Sequence, residues 1–323
     1  MSKDLAFDYS EQETLENPPI IIEEENSAYI DLMKRLQNKT ETLSYSSLKA
    51  FAKSPRNFIQ YKLKPRTPQT ESQIFGSLCD CFLTTPDKFD ELFVIVFSIP
   101  TSENQKGFCN DMIAGATKED AYANNYKTGG VDKVYEACGN YIEAILSGKM
   151  VCTNKMYDEA NKIVENLKKS DLVMQYVDSC TSFQNKREWT YNGWKLKGFT
   201  DAEGTRLILD FKFSKDADPD KFERDIVNFD YFMQMGMYSD SEEGLSECYF
   251  IVYDKSLNFS VIKIDYSFLS YGIRKYKYLI AKLEQCIKNN RWGESYNFFD
   301  VQQRTVYKPK WIKGFETDED NVE

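Results

Sequence analysis

The run Leu207-Ile208-Leu209-Asp210-Phe211-Lys212-Phe213 restricts the fold more than any other stretch. In an extended chain successive side chains point to opposite faces. Leu207, Leu209, Phe211 and Phe213 then share one face, and Arg206, Ile208, Asp210 and Lys212 share the other. The first set is a core face. The second carries an acid and a base about 7 Å apart, two residues of strand rise. A second apolar-rich run, from Lys195, leads to Asp201, which is expected to end the first strand beside the same spot. Glu203-Gly204 lies between the runs and is expected to be the tight turn of a β-hairpin. Two carboxylates and a lysine on a rigid sheet suit metal-dependent phosphodiester hydrolysis. A hard cation such as Mg²⁺ takes few protein oxygens and keeps several waters. A lysine can orient a nucleophilic water or neutralise charge developing on phosphate.

Taken in order, Gly198-x-x-Asp201, Asp210-x-Lys212 and Gln234-x-x-x-Tyr238 resemble the PD-(D/E)XK nuclease superfamily in its RecB-like branch. An acid-x-lysine triplet alone carries little, because a chain that is 28% charged meets several by chance. The order, the spacing and the strand under the second acid carry the resemblance. It implies an α/β fold whose mixed central β-sheet is flanked by helices. It also implies that Asp201, Asp210 and the Phe211 carbonyl hold one or two Mg²⁺ ions, with Mn²⁺ as a substitute. Lys212 would orient the attacking water. Gln234 and Tyr238, four apart and so on one helical face, would touch DNA or order the site. The same helix could instead be a plain amphipathic one, since Met233, Met235 and Met237 would pack it on the sheet.

Composition narrows the chemistry from another side. The 323 residues contain no histidine. That removes the commonest general base, the commonest zinc ligand and every Ser-His or Cys-His nucleophile pair. The chain also lacks the glycine-lysine loop of a P-loop ATPase. Catalysis must rest on carboxylates, lysine, tyrosine or a metal. The eight cysteines show no paired metal spacing apart from Cys79-x-Cys81, and after Cys180 only Cys248 and Cys286 remain. An iron–sulfur cluster fed by a C-terminal cysteine trio is therefore excluded. No apolar run approaches a membrane span, and the first residues lack the apolar stretch of a signal peptide. The expectation is a cytoplasmic protein with reduced thiols; that the cell is bacterial or phage-infected is implied by the resemblance alone.

The net charge of −10 is unusual for a DNA-binding protein. It is concentrated at the ends. Residues 1–26 hold eight acids against Lys3, and residues 314–323 hold five acids and no base, which leaves about +2 for residues 27–313. Both ends are expected to be acidic disordered tails, serving solubility or docking a partner. Residues 27–313 are expected to form the nuclease domain, beginning with a helical part.

That helical part contains a basic stretch. From Leu43 to Thr70 there are six bases (Lys49, Lys53, Arg56, Lys62, Lys64 and Arg66) and no acid, with Tyr45, Phe51, Phe58 and Tyr61 among them. Ser46 or Ser47 can cap one helix, and Ser54-Pro55 reads as the cap and first position of the next. Such a pair suits a nucleic-acid backbone, or it is a solvated face over core aromatics. The stretch resembles the start of the exodeoxyribonuclease VIII (RecE-type) nucleases of phages and prophages, which leads to a Gly-rich helix start, here Phe75-Gly76-Ser77-Leu78-Cys79-Asp80. Those proteins usually place a metal-binding histidine where this chain has Asp80. Aspartate is a good Mg²⁺ ligand, and an acid among Cys79, Cys81 and Phe82 is costly without a partner. Asp80 is thus a metal ligand or a buried hydrogen-bonded carboxylate.

Elsewhere the signals are coarser. A weak helical pattern covers residues 27–38, and residues 92–97 read as a buried strand. Residues 118–146 look helical with a break at Gly129-Gly130, and Thr153 caps a helix running to about Lys168. Asn192-Gly193 marks a hairpin after Glu188-Trp189-Thr190-Tyr191, with Glu188 either a further site carboxylate or a cross-strand partner. Asp218-Pro219 starts a helix that pauses near Asn228-Phe229-Asp230. Strands follow at residues 247–253 and 259–265, then a long helix to about Asn289; Trp292 and Trp311 fit the family's terminal segment.

The resemblance implies a Mg²⁺-dependent exonuclease that degrades linear duplex DNA from its ends, 5′ to 3′, for recombination with a single-strand annealing protein. It further implies a homo-oligomeric ring around the DNA and no membrane partner. Alternatives on the same fold are a single-strand-specific or endonucleolytic enzyme, or a non-catalytic DNA-binding or interaction protein.

Overall fold

The computed structural model describes residues 27–65, 69–241 and 246–299. Both expected acidic tails, Arg66 and Trp311 lie outside the described residues. The chain forms two compact units. The larger is built from Lys34–Tyr45 and Pro65–Tyr278; the smaller from residues 27–33, Ser46–Lys64 and residues 279–299.

In chain order the elements are α1 (Ser27–Gln37), β1 (Leu43–Ser44), α2 (Tyr45–Lys53), α3 (Pro55–Leu63) and α4 (Glu71–Thr84). Then come α5 (Phe89–Leu92), β2 (Phe93–Val96), α6 (Glu103–Ile113), α7 (Lys118–Asn125), α8 (Val131–Leu146) and β3 (Met150–Thr153). After them are α9 (Asn154–Lys168), α10 (Asp171–Val177), β4 (Cys180–Tyr191), β5 (Trp194–Gly204) and β6 (Leu207–Phe213). The last are α11 (Pro219–Asn228), α12 (Tyr231–Ser239), β7 (Glu247–Tyr253), β8 (Phe259–Lys263) and α13 (Tyr266–Asn289).

The larger unit is a mixed sheet with helices on both faces, as expected. Strands β1, β5, β6, β7 and β8 are neighbours in that order, and β4 pairs with β5. The β6–β7 and β1–β5 pairs are parallel; β4–β5, β5–β6 and β7–β8 are antiparallel. On one face, Leu209, Phe211, Ile251 and Tyr253 join Phe75 and Leu78 of α4 and Ile163 and Val164 of α9 in one core. The other face of β6 and β7 is buried too, through Ile208, Phe250 and Val252. Phe222 of α11 meets the Phe250 ring edge-on at 5.7 Å. Alternation along Leu207–Phe213 thus sorts the side chains as expected, but helices cover both faces. A two-stranded parallel sheet, β2 with β3, stands apart. Helices α6 to α8, inserted between those strands, carry their own core of Phe108, Cys109, Ala121, Cys138 and Ile142.

The local signals mostly hold. Ser54, Thr153 and Asp218 cap α3, α9 and α11 through their side chains. Asn192 and Gly193 both have positive φ, the form a two-residue hairpin turn requires. Three expectations shift. Helix α2 begins at Tyr45, so Ser46 and Ser47 lie inside its first turn. Strand β5 runs three residues past Asp201, which lies just beyond the end of the β5–β6 ladder at Ala202 and not at the end of the strand. The turn after β5 is Thr205-Arg206, and Arg206 takes the positive φ. Gly204 belongs to the strand, where a Cβ would come within 2.3 Å of the Ser179 carbonyl oxygen. Its glycine serves close backbone approach, not the turn.

In the smaller unit two aromatics of the basic stretch, Phe51 and Phe58, are core residues, while Tyr61 is exposed. Phe51 packs edge-on against Phe58 and Phe298, and Phe58 stacks with Trp292. Lys53, Arg56 and Lys64 are exposed, and Lys62 is half-buried. All eight cysteines are unpaired and buried. Among the described residues no helix is long and apolar enough to cross a membrane.

Candidate active site

The β5–β6 ladder is short. It joins Gly204 to Leu207, Glu203 to Ile208 and Ala202 to Leu209, and then stops. Beyond it β6 stays paired with β7 through Phe213–Tyr253. The same edge of β5 is next taken by β1, at Leu196 and Lys197. Residues 198–201 of β5 lie between the two ladders, so the strands part where Asp201 and Asp210 stand. Asp201 uses the opening: its Oδ2 accepts the Phe211 backbone N–H at 2.8 Å. That amide points at the edge where the ladder has ended.

Asp210 is 3% exposed, and its Oδ2 ion-pairs with the Nζ of Lys212, which is 20% exposed. The ammonium also lies 4.9 Å from the Tyr231 ring centre and 6.0 Å from that of Phe250. Helix α12 supplies the next contact. Gln234 Nε2 donates to Asp210 Oδ1 at 3.3 Å and to the Tyr238 hydroxyl at 3.2 Å. Gln234 Oε1 is buried and has no hydrogen-bond partner. From the other face α4 brings Asp80, whose Oδ1 accepts the Tyr253 hydroxyl at 3.0 Å. The structure therefore gathers Asp80, Asp201, Asp210, Lys212, Gln234 and Tyr238 at one place.

Electrostatics mark the cluster as short of positive charge. Burial, then the neighbouring Asp210, push the Asp201 carboxyl up to about 7, against the pull of Lys212 and the Phe211 amide. Burial and Asp201 likewise hold the Asp80 carboxyl well above the usual range, although the Tyr253 hydroxyl opposes them. Burial lowers the Lys212 ammonium, but Asp210 and Asp201 outweigh it and leave that group above the ordinary lysine value. Lys212 therefore keeps its proton.

Among the described residues no three acid or thiol side chains already stand at metal-holding spacing. The donors nonetheless suit a hard divalent cation. Carboxylate oxygens are the preferred ligands of Mg²⁺. Three carboxylates face one ammonium, and burial with mutual repulsion raises two of them, Asp201 to about 7 and Asp80 well above the usual range. A buried amide oxygen, Gln234 Oε1, is unsatisfied in the same cluster.

Two participants, Tyr253 and Tyr231, carry no clear mark in the sequence. Tyr253 ends a strand and reads as core until the parallel register sets it opposite Phe213 and beside α4. Tyr231 reads as one more aromatic in an apolar helix. Gly198 is legible as a motif letter, but its reason is spatial: a Cβ there would stand 2.2 Å from Tyr238 Cε1. Glu188 stays outside the cluster. It lies on β4 opposite Lys197 of β5, and its ion pair, at 2.7 Å, runs along its own strand to Lys186.

Residues 44–300 match the family described as PDDEXK-like domain of unknown function (DUF3799). Among solved structures, a candidate exonuclease from Eubacterium rectale is 14% identical, covering 85% of this chain and 92% of that one, at a TM-score of 0.49. An alkaline exonuclease from Laribacter hongkongensis is also 14% identical, covering 58% of this chain and 96% of that one, at a TM-score of 0.27. The same enzyme in complex with dAMP aligns at 13% identity over 58% and 96%, at a TM-score of 0.24. No curated protein matches the chain. With a family match over most of its length, and with the strand acids and lysine brought together where two strands part, the chain belongs to the PDDEXK-like domain family.

Proposed function

We propose that this protein is a metal-dependent deoxyribonuclease that hydrolyses phosphodiester bonds. The observation that carries this reading is the meeting of Asp201, Asp210 and Lys212 at the parting of β5 and β6, with Asp80 brought in by α4. Asp80, Asp201, Asp210 and the Phe211 carbonyl would hold one or two divalent ions, Mg²⁺ or, as a substitute, Mn²⁺. Such an ion supplies Lewis-acid polarisation of the scissile phosphate and offsets its charge.

Hydrolysis joins a water oxygen to phosphorus and frees the ester oxygen; the water must lose one proton and the leaving oxygen must gain one. Lys212 keeps its proton, so it serves as donor and fixed charge, not as base. It holds the water or a phosphate oxygen by hydrogen bonding. The Phe211 amide fixes one oxygen of Asp201. Gln234 ties Asp210 to Tyr238 and so sets the angle of the second carboxylate. These restraints hold the reacting groups before substrate arrives.

The finer reading is an exonuclease on linear duplex DNA that works 5′ to 3′ from ends, in the manner of the RecE-type proteins. It would work in a cytoplasm, with a single-strand annealing protein, as a homo-oligomeric ring. The sequence resemblance over residues 43–311 supports it. The test incubates purified protein and Mg²⁺ with end-labelled linear, circular, single-stranded and double-stranded DNA. Linear duplex should be degraded and closed circles spared. Efficient cutting of closed circles would replace the exonuclease with an endonuclease on the same site. No cleavage of any substrate would overturn the nuclease reading.

A further inference from the structure

One face of the β4–β5 ribbon is open and basic. Lys195, Lys197 and Phe199 alternate along β5, so their side chains share a face. The register sets Thr190 opposite Lys195, Glu188 opposite Lys197 and Lys186 opposite Phe199. Glu188 is the sole acid among these six residues, and Lys186 takes it as an ion pair at 2.7 Å. Lys195 and Lys197 lie near enough to lower the Glu188 carboxyl further, after Lys186. Phe199 is 55% exposed, in a strand whose next residue, Thr200, is buried. Asp201 follows two residues later, and the Phe199 main chain hydrogen-bonds Tyr238. The strip thus ends at the candidate active site.

We propose that this strip carries a single DNA strand to or from the site, with phosphates along Lys195 and Lys197 and one base stacked on Phe199. The inference rests on the nuclease reading for its direction, but its chemistry is independent. Lysines along one edge track a polyanion. Same-face residues of a strand recur about every 7 Å, close to the spacing of successive phosphates in an extended single strand. An exposed aromatic ring stacks an unpaired base of any identity; a duplex keeps its base faces stacked inside. Phe199 has no core to serve at its exposure, and it stands two residues before Asp201 on the same strand.

The test measures fluorescence anisotropy of a labelled short oligothymidylate and of a blunt duplex of equal length. EDTA is present, so nothing is cleaved. Wild-type protein should prefer the single strand. Lys195→Gln with Lys197→Gln should flatten the log–log salt dependence by about 0.7 for each phosphate no longer neutralised, about 1.4 together. Phe199→Ala should weaken binding about tenfold, and Phe199→Tyr should restore it. Glu188→Gln should tighten binding, since it frees Lys186. All these side chains lie on the open face, so melting temperatures should stay at the wild-type value. Equal binding of blunt duplex, or an unchanged salt slope and affinity in the lysine and Phe199 variants, overturns the proposal. The nuclease reading is judged separately, by loss of cleavage in Asp210→Asn. Strip variants that bind normally, beside an inactive Asp210→Asn, sink the strip alone.

Discussion

Tyr238 packs against the backbone of Gly198, so closely that a Cβ on that glycine would stand 2.2 Å from the tyrosine ring. Tyr238 is 5% exposed, and its hydroxyl accepts from Gln234, which also donates to Asp210. The glycine on β5 and the tyrosine on α12 are thus one fitted contact, and the second carboxylate hangs from it. Helix α12 cannot easily retreat. A Cβ on Gly272 of α13 would come within 2.2 Å of the Phe232 carbonyl, so α12 is held between α13 and the sheet.

Gly198→Ala should therefore push the ring aside and break the tie from Gln234 to Asp210. Overpacking of this kind costs about 1–3 kcal/mol. Cleavage should fall further than that loss explains, because Asp210 loses its fixed angle. Thermal denaturation and a DNA cleavage assay on the same preparation check this. A variant with reduced stability and full activity would separate Tyr238 from the chemistry.

Asp201→Ala, Asp210→Asn and Lys212→Ala should each lower turnover by about 10²-fold or more, the range for loss of a preorganised charge at a reacting centre. For Lys212→Ala the loss should fall on kcat and not on KM, since the ammonium acts on charge that develops during reaction. Steady-state kinetics on linear duplex, with melting curves to show folding, decide it. Wild-type rates in all three variants would mean that the chemistry lies elsewhere.

The sequence carries this far because the chemistry here is local. Asp210 and Lys212 share a strand, and Gln234 and Tyr238 share a helical face. Such spacings follow from periods of two and 3.6 residues. Asn192-Gly193 and the caps Ser54, Thr153 and Asp218 are local too. What stays hidden is non-local. That Tyr253 meets Asp80 depends on the parallel β6–β7 register and on the packing of α4, which no short window contains. The hairpin turn reads two residues early because Gly204 looks like a turn glycine; its true constraint is the Ser179 carbonyl, twenty-five residues away in sequence. The β2–β3 pair is hidden for the same reason, since the whole α6–α8 insertion separates its four-residue strands.

The Asp201 carboxyl, near 7 when folded, makes metal-free protein sensitive to pH. An unfolded aspartate titrates near about 3.9. Between those values the folded chain holds a proton that the unfolded chain has lost. Stability must then fall as pH rises through that window and level off above about 7. Asp80, raised for related reasons, adds in the same direction. In EDTA the denaturation midpoint should be higher at pH 5 than at pH 8. Mg²⁺ should recover most of the difference by supplying the missing positive charge. Asp201→Asn should flatten most of the slope; an unchanged slope in that variant would place the titrating group elsewhere.

Tyr253→Phe keeps the ring that packs against Phe213 and removes only the hydroxyl that donates to Asp80. If Asp80 holds metal, loss of the group that aims it should weaken metal affinity about 10–100-fold. Asp80→Ala should weaken it at least as much, and excess Mg²⁺ or Mn²⁺ should partly restore cleavage in both variants. Asp80→His should lose less than Asp80→Ala, since imidazole is the usual ligand at this position in the RecE-type proteins. Calorimetric titration of Mn²⁺ into each protein gives the affinity directly, apart from activity. The opposite reading, a buried carboxylate of purely structural use, predicts something different: lower melting temperatures, with Mn²⁺ affinity and the Mg²⁺ dependence of cleavage both at wild-type values.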